Sequence, residues 1–224
     1  MDWKRAFWAA VLIGGMATAG CGDDDAGGDV DSGVAMGDDA GTVGGEDAGG
    51  GEEDAGGPDY LCDYPAAPYG TSVGRKFEPF TLQQCDGTPY DFVNEEFCAP
   101  DHQLTLISIA AGWCNPCIVE SMQLEEEINE RYAGMGVRVI QIITQDPEFR
   151  APTLEFCQQW VDRFGLTNVE VIDPDQITNI YFPDNALPST IIVDEEGTIR
   201  YRENGASDGL ISLRAKIDEL LAED

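Results

Sequence analysis

Hydrophobic and polar positions follow two different periods along the second two thirds of the chain, and they predict alternating strands and helices. Residues 77–83 and 89–93 are extended runs on either side of Cys85-Asp86-Gly87. An Asp-Gly pair between such runs is a tight-turn signal, so the segment reads as a β-hairpin. Residues 104–110 form a short, mostly apolar, β-branched run, which reads as a buried strand. From 116 to 132 the period changes: Ile118, Met122, Leu124, Ile128 and Tyr132 recur at helical spacing with Glu120, Glu125, Glu126, Glu127 and Glu130 between them. Pro116 suits the first turn of that helix. A buried strand is expected at 137–144, a helix at 153–164, a short strand at 169–172 and a minor helix at 176–181. Two strands follow at 190–193 and 198–202 around Glu195-Glu196-Gly197, and an amphipathic helix at 210–221 closes the order. Strands that alternate with helices and end in a hairpin and a helix call for an α/β fold, a central mixed β-sheet with helices on both faces.

The first 59 residues carry a different pattern. Lys4 and Arg5 precede the apolar run 6–19, which has 14 residues and leads into Gly20-Cys21. That run is short for a helix crossing a bilayer core of roughly 30 Å, and its charged start and small-residue exit are those of a cleavable export signal over 1–20. Between Gly22 and Gly57 there are 13 Gly and 12 Asp or Glu, with no Lys, Arg or aromatic residue. Such a composition buries too little apolar surface to offset the entropy of ordering, so 21–59 reads as an acidic tether. The irregular recurrence of Asp-Ala-Gly excludes a solenoid repeat. The globular domain is expected over 60–224, enough for one core.

Charge narrows the function. The whole chain has 12 Lys plus Arg against 43 Asp plus Glu, a formal net charge of −31. Phosphate recognition needs clustered cations, so nucleic acid is not an expected partner. The single imidazole, His102, excludes a metal centre built on several histidines and reads as a loop residue.

Seven cysteines remain to be explained. Cys114 and Cys117, in Trp113-Cys114-Asn115-Pro116-Cys117, sit where the first buried strand gives way to its helix. Two thiols three residues apart at a helix start can close a small disulfide ring. Unpaired amides and the helix dipole favour a thiolate there. Cys114, ahead of the helix, is the expected attacking sulfur, and Cys117, one turn in, the resolving one. No second Cys-x-x-Cys is present to complete a zinc site, so no metal is expected. Glu120 lies three residues beyond Cys117 on the same helix face, where a partly desolvated carboxylate could take the resolving thiol's proton; a merely solvated role is the alternative. Cys62, Cys85, Cys98 and Cys157 read as structural disulfide candidates. Cys85 with Cys98 is the favoured pair and Cys62 with Cys157 the remainder, although four cysteines allow three pairings.

These residues resemble the thioredoxin superfamily, and within it the TlpA/ResA-like thiol-disulfide oxidoreductases, related to the AhpC/TSA group. The resemblance runs from about Val73 to Leu221. It rests on the Phe80 to Asp91 hairpin, on the stretch from Ala111 to Glu120 around the dithiol, and on Leu187-Pro188-Ser189-Thr190 with the strand after it. It implies a thioredoxin-like fold with an N-terminal β-hairpin extension. The redox-active disulfide Cys114–Cys117 would then replace any cofactor, and Glu120 would be a catalytic carboxylate. Pro188 would be a cis-proline beside the dithiol, where a substrate peptide pairs with Leu187, and Trp113 would cap the sulfurs. Thr18-Ala19-Gly20-Cys21 similarly resembles the bacterial lipoprotein box, with Thr18 where that family usually has Leu. It implies lipidation of Cys21 and a membrane-anchored protein facing the periplasm. Expected partners are protein thiols or disulfides and an upstream electron donor in the membrane or periplasm. Two alternatives stay open: a thiol peroxidase of the AhpC/TSA group, which would place Pro and Thr ahead of a lone peroxidatic Cys, and a non-enzymatic binding lipoprotein.

Overall fold

The structure, a computed structural model, describes residues 60–99, 101–205 and 208–223. The segments expected to be an export signal (1–20) and a tether (21–59), with Cys21, lie outside the described residues. Among the described residues no helix is long and apolar enough to cross a membrane.

Seven strands make one mixed sheet: β1 (Thr81–Gln84), β2 (Pro89–Asp91), β3 (Leu104–Ala110), β4 (Val137–Ile143), β5 (Val169–Ile172), β6 (Ser189–Asp194) and β7 (Ile199–Asn204). Their order across the sheet is β2-β1-β5-β4-β3-β6-β7. β3, β4 and β5 run parallel, and the other neighbours pair antiparallel. All seven residues of β3 are buried, which is why its sequence is mostly apolar with no alternation to charged positions, and its two hydroxyls, Thr105 and Ser108, have buried partners. The parallel links are made by α1 (Asn115–Leu124), which continues as a wider helical stretch over Glu125–Glu130, and by α2 (Leu154–Phe164). α3 (Ile211–Leu221) closes the chain. α2 has both caps its sequence calls for: Thr153 Oγ1 accepts from the Phe156 amide, and Gly165 takes the left-handed turn at φ 67°.

Alternation along β3 assigns the faces. Ser108 points towards α1, where Glu120 accepts its hydroxyl, while Thr105 points the other way and donates to Glu96 in the helical segment Val93–Phe97. α2 shares the Ser108 face, because Trp160 Nε1 donates to Gln141 on β4 (2.7 Å), the register partner of Ser108. α3 joins the end of α1 through Tyr132, whose hydroxyl meets the Arg214 carbonyl and Asp218, and through an Arg214–Glu127 ion pair. An aromatic cluster adds to the core, with Phe77 stacked on Tyr181 at 4.6 Å and Phe92 against Phe77.

Two sequence expectations change. The favoured pairing of Cys85 with Cys98 and Cys62 with Cys157 is replaced by Cys62–Cys98 and Cys85–Cys157, with Cα separations of 5.4 and 5.2 Å. The hairpin pairs with β5, and the Cys85 amide donates to the Glu170 carbonyl, so Cys85 is carried beside α2 and away from Cys98. Tyr64 stacks on Phe97 at 5.2 Å, which brings Cys62 to the end of the Val93–Phe97 segment. The second change is the inner face of the first helix. Met122 is 60% exposed, and the buried positions are Cys117, Glu120, Ser121 and Leu124. A polar stripe faces the sheet because Ser108 and Gln141 there offer it partners.

Candidate active site

Cys114 is held at the carboxyl end of β3 by backbone bonds. Thr144 N–H donates to the Ala110 carbonyl, Gly112 N–H to Gln145 and Cys114 N–H to Ala111. Gly112 has no substitute here: a Cβ would stand 2.7 Å from Phe156 Cζ and 2.8 Å from Pro147. Cys114 then becomes the N-cap of α1, with extended φ/ψ of −83° and 102°. Its sulfur accepts from the Cys117 amide at 3.2 Å, one of the helix-start donors that needs a partner.

Cys114 and Cys117 form a disulfide with a Cα separation of 5.2 Å. Cys114 keeps 4% of its surface exposed and Cys117 none, while Asn115 and Pro116 between them are exposed. Attack from solvent is therefore confined to the Cys114 side. Trp113 is fixed next to the sulfurs: its Nε1 donates to Gln145 Oε1 at 2.9 Å, and its ring stacks on Phe149 at 4.9 Å. Phe149 is 63% exposed with φ at +62°, a conformation that side chains rarely adopt. Asp146 imposes it by accepting the Glu148 and Arg150 amides and the Arg150 guanidinium. Periodicity gave no sign of Phe149, since the residue lies in a loop.

Glu120 is buried on the inner side of α1, one turn beyond Cys117. Ser108 Oγ donates to its Oε1 at 2.7 Å, and Oε2 has no hydrogen-bond partner. Burial pushes its carboxyl up to about 7; the Ser108 hydrogen bond pulls it back, the charge of Glu203 adds to the rise, and the nearby Thr190 hydroxyl, too far or misaligned for a full hydrogen bond, lowers it slightly. Ser108 and Ser121 also meet Gln141, so the carboxyl ends a buried polar chain that sequence reading did not assemble.

The strand register Ile109↔Ser189 sets Leu187-Pro188 at the same end of the sheet as the dithiol. The bond between them is cis. The Leu187 amide already donates to the Asn185 carbonyl, and the Pro188 carbonyl accepts from Gly205. A pairing peptide would therefore meet the Leu187 carbonyl. His102 is a loop residue just before β3, but a buried one, hydrogen-bonded to Thr105 and beside Glu96. Among the described residues no group of three or more His, Cys, Asp or Glu could hold a metal ion.

The Redoxin family model matches residues 72–221. The thiol-disulfide oxidoreductase ResA of Geobacillus thermodenitrificans is 29% identical over 138 residues, 58% of this chain and 75% of that protein. The thiol:disulfide interchange protein DsbE of Allochromatium vinosum is 32% identical over 109 residues, 49% of this chain and 55% of that one. The thioredoxin domain of a thiol-disulfide oxidoreductase from Bacteroides vulgatus superposes with a TM-score of 0.51 at 16% identity, covering 65% of this chain and 97% of that domain. The chain belongs to the redoxin family, as a TlpA/ResA-like oxidoreductase with a thioredoxin-like fold.

Proposed function

We propose that the protein exchanges disulfides with partner proteins through Cys114 and Cys117. The observation that carries this reading is the arrangement at the start of α1: two bonded sulfurs, the outer one the helix N-cap with 4% of its surface exposed, the inner one enclosed above a buried carboxyl. In the reducing direction the Cys114 thiolate attacks a partner disulfide, forms a mixed disulfide and expels one partner thiolate, which takes a proton from solvent. Cys117 then attacks the Cys114 sulfur, the mixed bond breaks, and the second partner thiolate leaves as Cys114–Cys117 closes. Cys117 must lose its proton inside the core. Glu120 is its i+3 neighbour on the helix, with Cβ atoms about 5–6 Å apart, and its carboxyl titrates near neutrality, where a proton can move either way.

The Trp113–Phe149 stack gives an extended peptide an aromatic ledge, and the Leu187 carbonyl gives it one backbone acceptor. The export reading is supported by the 1–20 pattern and by three disulfides in one domain, the pairing expected in an oxidising compartment. On that reading Cys21 carries lipid and the domain faces the periplasm, fed by a membrane or periplasmic electron donor. A peroxidase reading has less support, because Ala111-Gly112-Trp113 precedes Cys114 and the partner thiol follows within one turn. Insulin-disulfide reduction by dithiothreitol, run beside peroxide consumption, tests the proposal. Acceleration of the first that Cys114→Ser abolishes supports it; peroxide turnover, or reduction unaffected by Cys114→Ser, overturns it.

A further inference from the structure

One row of polar side chains crosses the sheet beneath α1 and α2. Thr190 on β6, Ser108 on β3, Gln141 on β4 and Glu170 on β5 are register partners in turn. The row ends at Cys85: Gln84 pairs with Val171, and the Cys85 amide donates to the Glu170 carbonyl at 3.2 Å. Cys85 and Glu170 are therefore side-by-side neighbours on one face, with Cβ atoms about 5 Å apart. Cys85 is bonded to Cys157 on the buried side of α2.

This end of the row repeats the features of the dithiol end. Among the described residues three buried side-chain oxygens have no hydrogen-bond partner: Glu120 Oε2, Glu170 Oε2 and Asn168 Oδ1. The last two adjoin one another, with Asn168 Nδ2 donating to Glu170 Oε1 at 2.7 Å. Asn168 and Glu170 are among the residues around an open cavity of about 330 Å³ whose walls include Cys85, Gln158 and Val161. Cys85 is only half-buried, more open than Cys114, whereas Cys157 is fully enclosed. A purely structural crosslink needs neither an unpaired carboxyl oxygen nor an open approach to one sulfur.

We propose that Cys85–Cys157 is a second thiol-exchange site, opened by an incoming dithiol, with Glu170 delivering the proton to the departing Cys157 sulfur. One thiolate of the dithiol attacks Cys85 Sγ, the Cys85–Cys157 bond breaks, and Cys157 leaves and takes the carboxyl proton. The second thiol of the donor, once deprotonated by solvent, attacks the mixed disulfide and releases Cys85, so that two electrons pass from the dithiol to the protein and the donor ends as a disulfide. Solvent reprotonates Glu170. Burial favours the acid form of Glu170 and raises its carboxyl well above the usual range; the Asn168 bond pulls it down and the charge of Glu125 raises it further. The other groups around it are Asp86 in the hairpin turn and, on α2, the uncharged Gln158, itself bound to Asp162.

The test uses the folded full chain carrying Cys114→Ser and Cys117→Ser, so that the first dithiol cannot exchange. Reduction by dithiothreitol is followed by alkylation and mass spectrometry across the neutral and mildly alkaline range, with near-UV circular dichroism reporting the fold. Cys85 and Cys157 are expected to become labelled while the native signal persists. Glu170→Gln is expected to slow that opening at least about tenfold and to change its pH profile, leaving the rate at Cys62–Cys98 unchanged. Labelling only after the native signal is lost overturns the proposal, as does a Glu170→Gln rate and pH profile equal to the parent's. The first arm needs no change at Glu170 and decides the matter alone if that variant fails to fold.

Discussion

Two glutamates are buried on opposite faces of the same sheet, and they are built for different ends. Glu96 is fully enclosed and both of its oxygens are engaged: Tyr90 donates to one, Thr105 to the other at 2.8 Å, with His102 and Arg138 alongside. Glu120 has one hydrogen bond, from Ser108, and one free oxygen. Burial raises the carboxyl of both, but at Glu96 the Tyr90 bond and the Arg138 charge work against it. A buried carboxyl with both oxygens engaged ties elements together and resists change. One left half-paired keeps its proton up to about neutral pH, and it lies under the helix that carries the dithiol.

The comparison predicts effects of decreasing size. The largest belongs to Glu96→Ala, which strands buried donors on Tyr90 and Thr105 and should lower folding stability by about 3–5 kcal/mol in chemical denaturation. Disulfide exchange per folded molecule should stay within about twofold, since that face is remote from the sulfurs. A stability-neutral Glu96→Ala would break the contrast.

At Glu120 the effect should be tied to pH. The carboxyl titrates near 4.5 when exposed and at about 7 when folded, so the folded state binds the extra proton between those values. Stability from this group is present below about pH 4.5 and is lost as pH rises through 7, on the order of 2–4 kcal/mol in all. Glu120→Gln should remove that portion of the stability-against-pH curve and slow exchange near neutrality about ten- to a hundredfold. An unchanged curve would place Glu120 with Glu96 as a structural group.

The smallest concerns the rim. Phe149→Gly relieves an unfavourable φ and loses one aromatic stack, contributions of opposite sign, so stability should move by less than about 1 kcal/mol. The KM for a protein disulfide should rise about two- to tenfold as the ledge beside Trp113 is lost. A large stability change with unaltered KM would make Phe149 a packing residue.

Local signals made most of the fold legible. β3 and β4 showed as β-branched runs, the hairpin as Asp86-Gly87, and the helix starts as Pro116 and Thr153, because each depends on neighbours within a few residues. The dithiol was legible for the same reason: spacing and a helix start suffice. Features made by distant contacts stayed hidden. The partner of Cys85 depends on β1 pairing with β5, a link across more than eighty positions of sequence. Met122 looked like core because helical spacing cannot tell which of two adjacent stripes faces a sheet that carries Ser108 and Gln141. Phe149 and Glu170 gain meaning only from the groups that the fold brings against them.

The central claim is that Cys114 is the sulfur that meets partners and Cys117 the one that releases them. Cys117→Ala should stall exchange at the mixed disulfide. With a disulfide-bonded protein substrate, mass spectrometry of the trapped species should find the partner on Cys114, and Cys114→Ser in the same background should abolish the adduct. A partner attached elsewhere, or an adduct that survives Cys114→Ser, would contradict the account.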